Sequence, residues 1–331
     1  MVVKTACVLA LVGVCLVVSN RLPIGGQANA ADFDAVCSKA RQHLREGRCD
    51  EAMTAIAAVE GAIRADVERE PGRELRVLII KARAYWHQMD TEGLERFLTR
   101  FEKEYADTSA AGWVQRAAWY ERMLGYRFAE DLPQAVRAFE TYWELDGQRV
   151  GSQDRADDLD AVARDFDLHV KMPAEIGNLY RYMGKMEPAL QRYRSALEYA
   201  TTHSAAFKPL DEHPELIVGE FLSPLKARDE ILPAAIRECE APQDSVLGIL
   251  GRTVACEVQQ ADWLLSVGRG CCQRRAFDSA REHYRRAQQA LETHQAGTYS
   301  LAPGDKARYL ALQEQISKGA AACRTESARL N

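Results

Sequence analysis

The sequence predicts an all-α protein, and three observations support this fold class. Glycine and proline contribute 21 and 11 of the 331 residues, roughly 10% against about 12% in average usage, so turn residues are scarce. Apolar residues recur at steps of three and four along most of the chain, which is the period of one helix face. No run of alternating β-branched residues bounded by a hairpin turn competes with this pattern.

The composition also narrows the class of protein. With 47% hydrophobic and 27% charged residues, the chain can bury a large core and does not resemble a disordered polymer. The 43 basic and 48 acidic side chains give a pI near 5.9. Because nucleic-acid binding depends on an excess of clustered lysine and arginine, DNA and RNA are not expected as main partners.

Residues 1–30 have the features of a secretory signal peptide. Lys4 precedes an apolar run over residues 5–18, and Ala28-Asn29-Ala30 has the small-x-small pattern of a cleavage site. The run is shorter than the roughly 20 residues that a membrane-spanning helix needs. We therefore expect cleavage after Ala30, a periplasmic or extracellular mature protein, and no transmembrane segment after cleavage. An uncleaved anchor is the alternative.

After the expected signal, helical periodicity predicts a series of helices separated by turn residues. They cover residues 34–47, 49–67, 75–88, 91–105, 113–124, 132–145, 158–169, 173–183 and 187–199, and a capping helix over 305–321. Prolines interrupt the pattern between 204 and 245, where Leu232-Pro233 and Ala241-Pro242 are expected to mark further helix boundaries. The predicted organisation is therefore a signal peptide over 1–30, helical repeats over 31–203, an irregular joint over 204–245, and a final hairpin with its cap over 246–331.

An internal repeat is clearest in the segment 173–196. It reads Pro173-x2-Ile176-Gly177-x2-Tyr180, followed by Gly184, Ala189-x3-Tyr193 and Ala196. Small residues at two of these positions would let two helices approach closely, and tyrosines would fill the space beside them. The residues expected to pack the two helices together are Gly177, Tyr180, Ala189, Tyr193 and Ala196.

This pattern resembles the tetratricopeptide repeat, W-x2-L-G-x2-Y followed by A-x3-F. Degenerate copies begin near residues 33, 75, 116, 170 and 261, at intervals of 42, 41, 54 and 91 residues. The family period is about 34 residues, so helices or loops are expected to be longer here. The resemblance implies a right-handed superhelical solenoid of helical hairpins.

In proteins with this repeat, the first helix of each hairpin lines a concave groove. The resemblance therefore implies a partner-binding groove lined by Arg83, Trp86, Tyr120, Arg127, Asn178, Arg181 and Tyr182. Aromatic residues and arginines often supply binding hot spots, and such a groove would suit a peptide or protein with an acidic element. We expect a non-enzymatic protein-interaction scaffold of the bacterial periplasm or cell envelope.

Other functions have weaker support in the sequence. A basic stretch could instead bind an anionic envelope polymer or lipid, through Arg269, Arg274, Arg275, Arg281, Arg285 and Arg286. No motif assembles a nucleophile, a base and an orienting group, so an enzyme is not expected. The segment 211–215 contains Asp211, Glu212, His213 and Glu215, and a metal there is a further alternative to an exposed loop. The acids between 154 and 167 do not fit a calcium-binding loop, which needs a central glycine and a closing glutamate.

Seven of the nine cysteines lie beyond residue 30. Export permits disulfides, yet an odd number leaves at least one thiol unpaired or shared with another chain. If Cys37 and Cys49 lie on two arms of one hairpin, Cys37 is about 10 Å back from the turn, beyond the reach of a disulfide. No cysteine or histidine set has zinc-ligand spacing, so neither this bridge nor a cofactor is expected.

Overall fold

Helix is the only regular secondary structure among the residues that the computed structural model describes, which are 27–64, 71–150, 159–213, 223–271, 274–293 and 303–329. This confirms the all-α prediction. Residues 1–26 lie outside the described residues, so cleavage after Ala30 stays a prediction. Within the described ranges, no helix is both long and apolar enough to cross a membrane.

The chain divides into two compact units between Asp146 and Gly147. The first unit contains three helical hairpins. Its helices are α1 (Gln27–Arg45), α2 (Cys49–Arg64), α3 (Pro71–His87), α4 (Thr91–Tyr105), α5 (Ala111–Phe128) and α6 (Leu132–Val150), of which α6 extends past the boundary. In this unit α3 packs against α1, α2, α4 and α5. In successive hairpins, the first helix therefore packs against both helices of the hairpin before it.

The second unit takes up the rest of the described chain. Its helices are α7 (Leu159–Phe166), α8 (Met172–Tyr182), α9 (Met186–Thr202), α10 (Ser204–Asp211), α11 (Pro224–Lys226), α12 (Leu232–Glu240), α13 (Val246–Ile249), α14 (Cys256–Cys271), α15 (Arg274–Thr293) and α16 (Pro303–Arg329). The main packing pairs are α8 with α9, α9 with α12, and α15 with α16.

One turn geometry closes four hairpins, α1–α2, α3–α4, α5–α6 and α8–α9. Each contains one residue with a left-handed backbone, called the turn residue below: Gly47 (φ 72°), Met89 (φ 60°), Glu130 (φ 60°) and Gly184 (φ 74°). The amide of each turn residue donates to the carbonyl three residues back, and the next amide donates to the carbonyl five residues before it. This pair of hydrogen bonds caps the last carbonyls of the first helix. The backbone thus repeats the same turn even where the sequence does not repeat glycine.

In the described part of the second unit, π-helical turns occur at Asp167–Lys171, Ala227–Ile231 and Leu250–Ala255. The first two lead directly into Met172-Pro173 and Leu232-Pro233. A proline in a helix lacks an amide donor and its ring clashes with the carbonyl four residues back, and a wider turn relieves that clash. The helix breaks predicted before Pro173 and Pro233 are therefore replaced by continuous helical segments.

The predicted irregular joint over 204–245 belongs to a hydrophobic core. Phe207 and Leu210 from α10 and Leu232 and Cys239 from α12 are buried in one cluster with α9. The apolar sides of these short helices pack against α9. The two compact units divide near residue 146.

Candidate functional site

The turn residue gives a common register for the first helices of the four hairpins. Counting back from it, the position three residues earlier is buried in every case, with 5%, 2%, 7% and 0% of the residue exposed. The residues at this position are Leu44, Trp86, Arg127 and Arg181. A groove-lining role is therefore wrong for Trp86, Arg127 and Arg181, because their side chains are enclosed by neighbouring helices.

Arg181 is the centre of a buried polar network in the second unit. Its Nη1 donates to Glu238 Oε2 at 2.8 Å and its Nη2 donates to Gln259 Oε1 at 2.9 Å. Arg308 Nε donates to the other carboxylate oxygen of Glu238 at 2.8 Å. The network joins α8, α12, α14 and α16, so Arg181 stabilises this unit and is not exposed to a partner.

Asn178 is also enclosed, with 7% of the residue exposed. Tyr193 Oη donates to Asn178 Oδ1 at 2.7 Å. A Cβ atom added at Gly177 would come within 2.8 Å of the Tyr193 ring. Thus Gly177 permits the tyrosine to lie between α8 and α9, and the groove role predicted for Asn178 does not hold. Ala189 and Ala196 are fully buried beside them, and Tyr180 packs at the edge of the same core.

Trp86 takes part in a second buried network, in the first unit. Its indole Nε1 donates to Glu121 Oε2 at 3.1 Å, and Arg83 Nε lies 3.5 Å from Glu121 Oε1. Burial raises the pKa of Glu121, although Arg83 and the indole hydrogen bond oppose that effect. Glu121 therefore fixes both the indole and the Arg83 guanidinium on α3.

Three of the predicted groove residues keep partial exposure. Arg83 and Tyr120 lie in the first unit, where the Tyr120 ring centroid is 5.5 Å from that of Tyr142. Tyr182 lies in the second unit, and its hydroxyl accepts a hydrogen bond from Arg286 Nη2 at 3.5 Å. Each of these residues therefore contributes to the surface of its own unit.

Four arginines of α1 and α3 are called the arginine face below. They are Arg41, Arg45, Arg76 and Arg83. Arg41 lies six residues before its turn residue, as Arg83 does in the next hairpin. The groove residues predicted from the repeat resemblance lie in later hairpins and not on α1. The signal that identifies Arg41 is the offset of six residues before Gly47, which Arg83 shares before Met89, and Arg45 lies two residues before Gly47, as Tyr182 does before Gly184.

The two carboxylates near the arginine face already have partners. Asp34 forms an ion pair with Arg76, and Glu121 contacts Arg83 and Trp86. Within the described residues, Arg41 and Arg45 form no ion pair with a carboxylate. Burial is the largest effect on the pKa of Arg41 and lowers it, Cys37 opposes this as the next largest effect, and the guanidinium groups of Arg76, Arg83 and Arg45 each lower the pKa by less. This part of the surface therefore carries uncompensated positive charge.

The arginines of α15 are in a different situation, because nearby acids neutralise them. Arg281 pairs with Asp278, Arg285 with Glu282, and Arg286 with Glu257. Arg269 on α14 pairs with Glu326. The side chain of Arg274 lies outside the described residues, and Arg275 is exposed. Most of the predicted basic patch is thus a series of local ion pairs.

No group of three or more potential metal ligands occurs among the residues whose placement is described. Asp211, Glu212 and His213 are in the described part, whereas Glu215 is outside it. Five cysteines whose side chains the structure describes are free, buried thiols: Cys37, Cys49, Cys239, Cys256 and Cys323.

Comparisons with protein-family models, with curated proteins and with solved structures found no match to this chain.

Proposed function

We propose that this protein is a non-enzymatic, tetratricopeptide-like scaffold that binds a partner protein or peptide through the first-helix surface of its N-terminal hairpins. The observation that carries the proposal is the turn that recurs in four hairpins with the same hydrogen bonds. Stacked hairpins of this kind present successive first helices side by side, which forms an extended surface for an elongated ligand. Partly exposed Arg83 and Tyr120 lie on that surface.

The local ion pairs of α15 favour this proposal over an envelope polymer- or lipid-binding factor. Arg281, Arg285 and Arg286 each pair with a carboxylate of the same unit. Such pairs reduce the field that would attract a polyanion. The arginine face of the first unit lacks that compensation at Arg41 and Arg45.

Capture of a partner by the full chain tests the scaffold. The Arg83→Ala, Tyr120→Ala double variant should lose a cross-linked partner that the wild type retains in an envelope fraction. The matched control is the Arg96→Ala, Arg100→Ala double variant on α4, where both side chains are largely exposed at 69% and 60%. Equal capture by all three proteins would contradict the proposal. Arg181 is unsuitable for this test, because its replacement would disturb the core. Because Arg83 pairs with buried Glu121, circular dichroism must show that the Arg83→Ala, Tyr120→Ala variant keeps the helical content of the wild type.

We also propose export, with removal of residues 1–30. Cleavage after Ala30 would leave Phe33 and Cys37, which are buried residues of α1, within the mature chain. The measurement is the intact mass of protein recovered from the periplasm or medium. A mass that corresponds to a chain starting at Ala31 is expected, and one that starts at Met1 would exclude cleavage.

A further inference from the structure

We infer that the arginine face is a binding site for an extended acidic peptide segment, with Arg41 and Arg45 as the residues that bind its carboxylates. This inference rests on the proposed scaffold function and assigns a chemical class to the partner. Two arginines on the surface of the stacked hairpins, Arg41 and Arg45, have no carboxylate partner among the described residues. The acids Asp34 and Glu121 already pair with other arginines of this face.

The position of Arg41 makes its positive charge costly without a ligand. Its side chain is half-buried between α1 and α3, and Arg76 and Arg83 of α3 contribute further positive charge to its surroundings. A guanidinium removed from water is stabilised by a paired carboxylate, and like charges nearby have the opposite effect. An incoming carboxylate would therefore relieve an existing repulsion as well as form new hydrogen bonds.

Two acids that contact other members of the arginine face do not compensate Arg41. The Asp34 carboxylate is held by Arg76, whose guanidinium carbon lies 6.0 Å from the centroid of the Phe33 ring. Glu121 is fully buried against Arg83 and Trp86, and burial raises its pKa. Neither carboxylate is therefore paired with Arg41 or Arg45.

The spacing of the two cations fits an extended peptide. Arg41 and Arg45 are four residues apart on α1, so they lie on one face about 6 Å apart at their Cβ atoms. In an extended strand, alternate side chains point to the same side at about 6.6 Å. Acidic residues at alternate positions would therefore each meet one guanidinium, and a planar guanidinium can bind a carboxylate with two parallel hydrogen bonds.

Fluorescence anisotropy with the full chain and a labelled Glu-Ser-Glu-Ser-Glu-Ser peptide tests the inference. At low salt the peptide should bind the wild type, and the corresponding glutamine peptide should not. The Arg41→Gln, Arg45→Gln double variant should bind the acidic peptide at least about tenfold more weakly. The Arg281→Gln, Arg285→Gln double variant has the same change in net charge and should remain within about twofold of wild type, because those arginines are already paired.

Several results would overturn the inference. These are no binding of the acidic peptide, equal binding by both double variants, equal binding of the glutamine peptide, or inorganic phosphate competing as well as the peptide. If Arg41→Gln failed to fold, the exposed Arg45→Gln single variant would decide, with about threefold weaker binding expected and unchanged binding overturning the inference. Partner capture that is lost in the Arg83→Ala, Tyr120→Ala variant together with no peptide binding would retain the scaffold and exclude only this site. Peptide binding without any captured partner would support this site and contradict the scaffold.

Discussion

Arg181 illustrates how much a single residue's role depends on what covers it. Its side chain and that of Glu238 are each 1% exposed, and the two groups lie 2.8 Å apart. Removing one member of a buried ion pair leaves an uncompensated charge in a low-dielectric environment. We expect Arg181→Met to lower the free energy of unfolding by about 3–5 kcal/mol, as measured by urea denaturation.

The exposed pair Arg194–Glu240 is a suitable control, because it joins α9 and α12 of the same unit. Its side chains are 56% and 47% exposed. Solvent screens such a pair, so Arg194→Met should cost no more than about 0.5 kcal/mol. Similar losses for the two variants would show that the buried network is not what stabilises this unit.

His87 gives a prediction for pH dependence. Burial, with a smaller contribution from Arg83, lowers the pKa of His87 from 6.5 to about 3. Below pH 6.5 the unfolded chain therefore binds a proton that the folded chain excludes, and folding becomes less favourable as the pH falls. Between pH 7 and pH 5 the expected loss from this group is about 2 kcal/mol.

His87→Leu removes that titration while filling a buried position. Neither ring nitrogen of His87 has a hydrogen-bond partner within the described structure, so the substitution leaves no polar partner behind. The difference in unfolding free energy between variant and wild type should change by about 2 kcal/mol over this range, in favour of the variant at pH 5. Parallel stability curves for the two proteins would contradict a neutral buried imidazole.

At this scale the sequence identified positions better than environments. Arg83 and Trp86 were placed correctly on one first helix, yet Trp86 is buried because Glu121 of the adjacent α5 lies over its indole nitrogen. Arg181 is enclosed by α12 and α14, which are 57 and 78 residues away along the chain at their contact points. Such long-range packing leaves no local pattern, and the repeat resemblance supplies a register without the covering helices.

At the scale of elements, the recurring turn makes a reciprocal prediction. Glu130 has a left-handed backbone with φ 60°, a conformation that costs a non-glycine residue roughly 1 kcal/mol. Glu130→Gly should therefore raise the free energy of unfolding by about 0.5–1 kcal/mol. Gly47→Ala should lower the free energy of unfolding by about 1 kcal/mol, because alanine is strained at a φ of 72°. No atom lies within 4 Å of a Cβ added there, so the substitution changes the backbone energy without a steric clash.

The urea midpoints of the two variants provide the measurement. Opposite shifts are expected, since one change relieves backbone strain and the other introduces it. Shifts of the same sign would mean that side-chain contacts, and not the left-handed backbone, determine stability at these turns.

Helix existence was predictable from periodicity, whereas continuity through proline was not. The sequence predicts ends before Pro173 and near Pro233, and it places the end of α12 correctly before Ala241-Pro242. A π-helical turn has one more residue between its hydrogen-bonded groups than an α-helical turn. Its formation depends on neighbouring core packing, as for Phe166 and Val170 around the first of these turns, and local composition does not encode that packing.

At the scale of the whole molecule, burial of the cysteines predicts that their thiols react with alkylating reagents mainly when the chain is unfolded. Burial raises the pKa of Cys37, Cys256 and Cys323 to about 11 and also raises the pKa of Cys49 and Cys239. The thiolate is the reactive form, so these five groups should react slowly while the chain is folded. Peptide mapping after iodoacetamide treatment should find them labelled in urea and largely unlabelled in buffer. Rapid labelling of any of them in buffer would contradict its burial.

The division into units was the least predictable feature of the whole molecule. Prolines between 204 and 245 suggested a joint, because proline commonly interrupts helices. The apolar residues of the same segment instead bury Phe207, Leu210 and Leu232 in the core of the second unit. Packing of these apolar residues in the core therefore has more influence on the fold than the interruption of helices by proline. The boundary between the two units lies within helical residues around 146.

The recurring turn also has a consequence for synthesis of the chain. Each turn is closed by hydrogen bonds that span no more than five residues, as in the bond from the Arg48 amide to the His43 carbonyl. A hairpin can therefore nucleate from residues that leave the ribosome together, without waiting for distant segments. The three N-terminal hairpins should thus acquire structure in order of translation, and the buried network around Arg181 should complete only after Arg308 has been made.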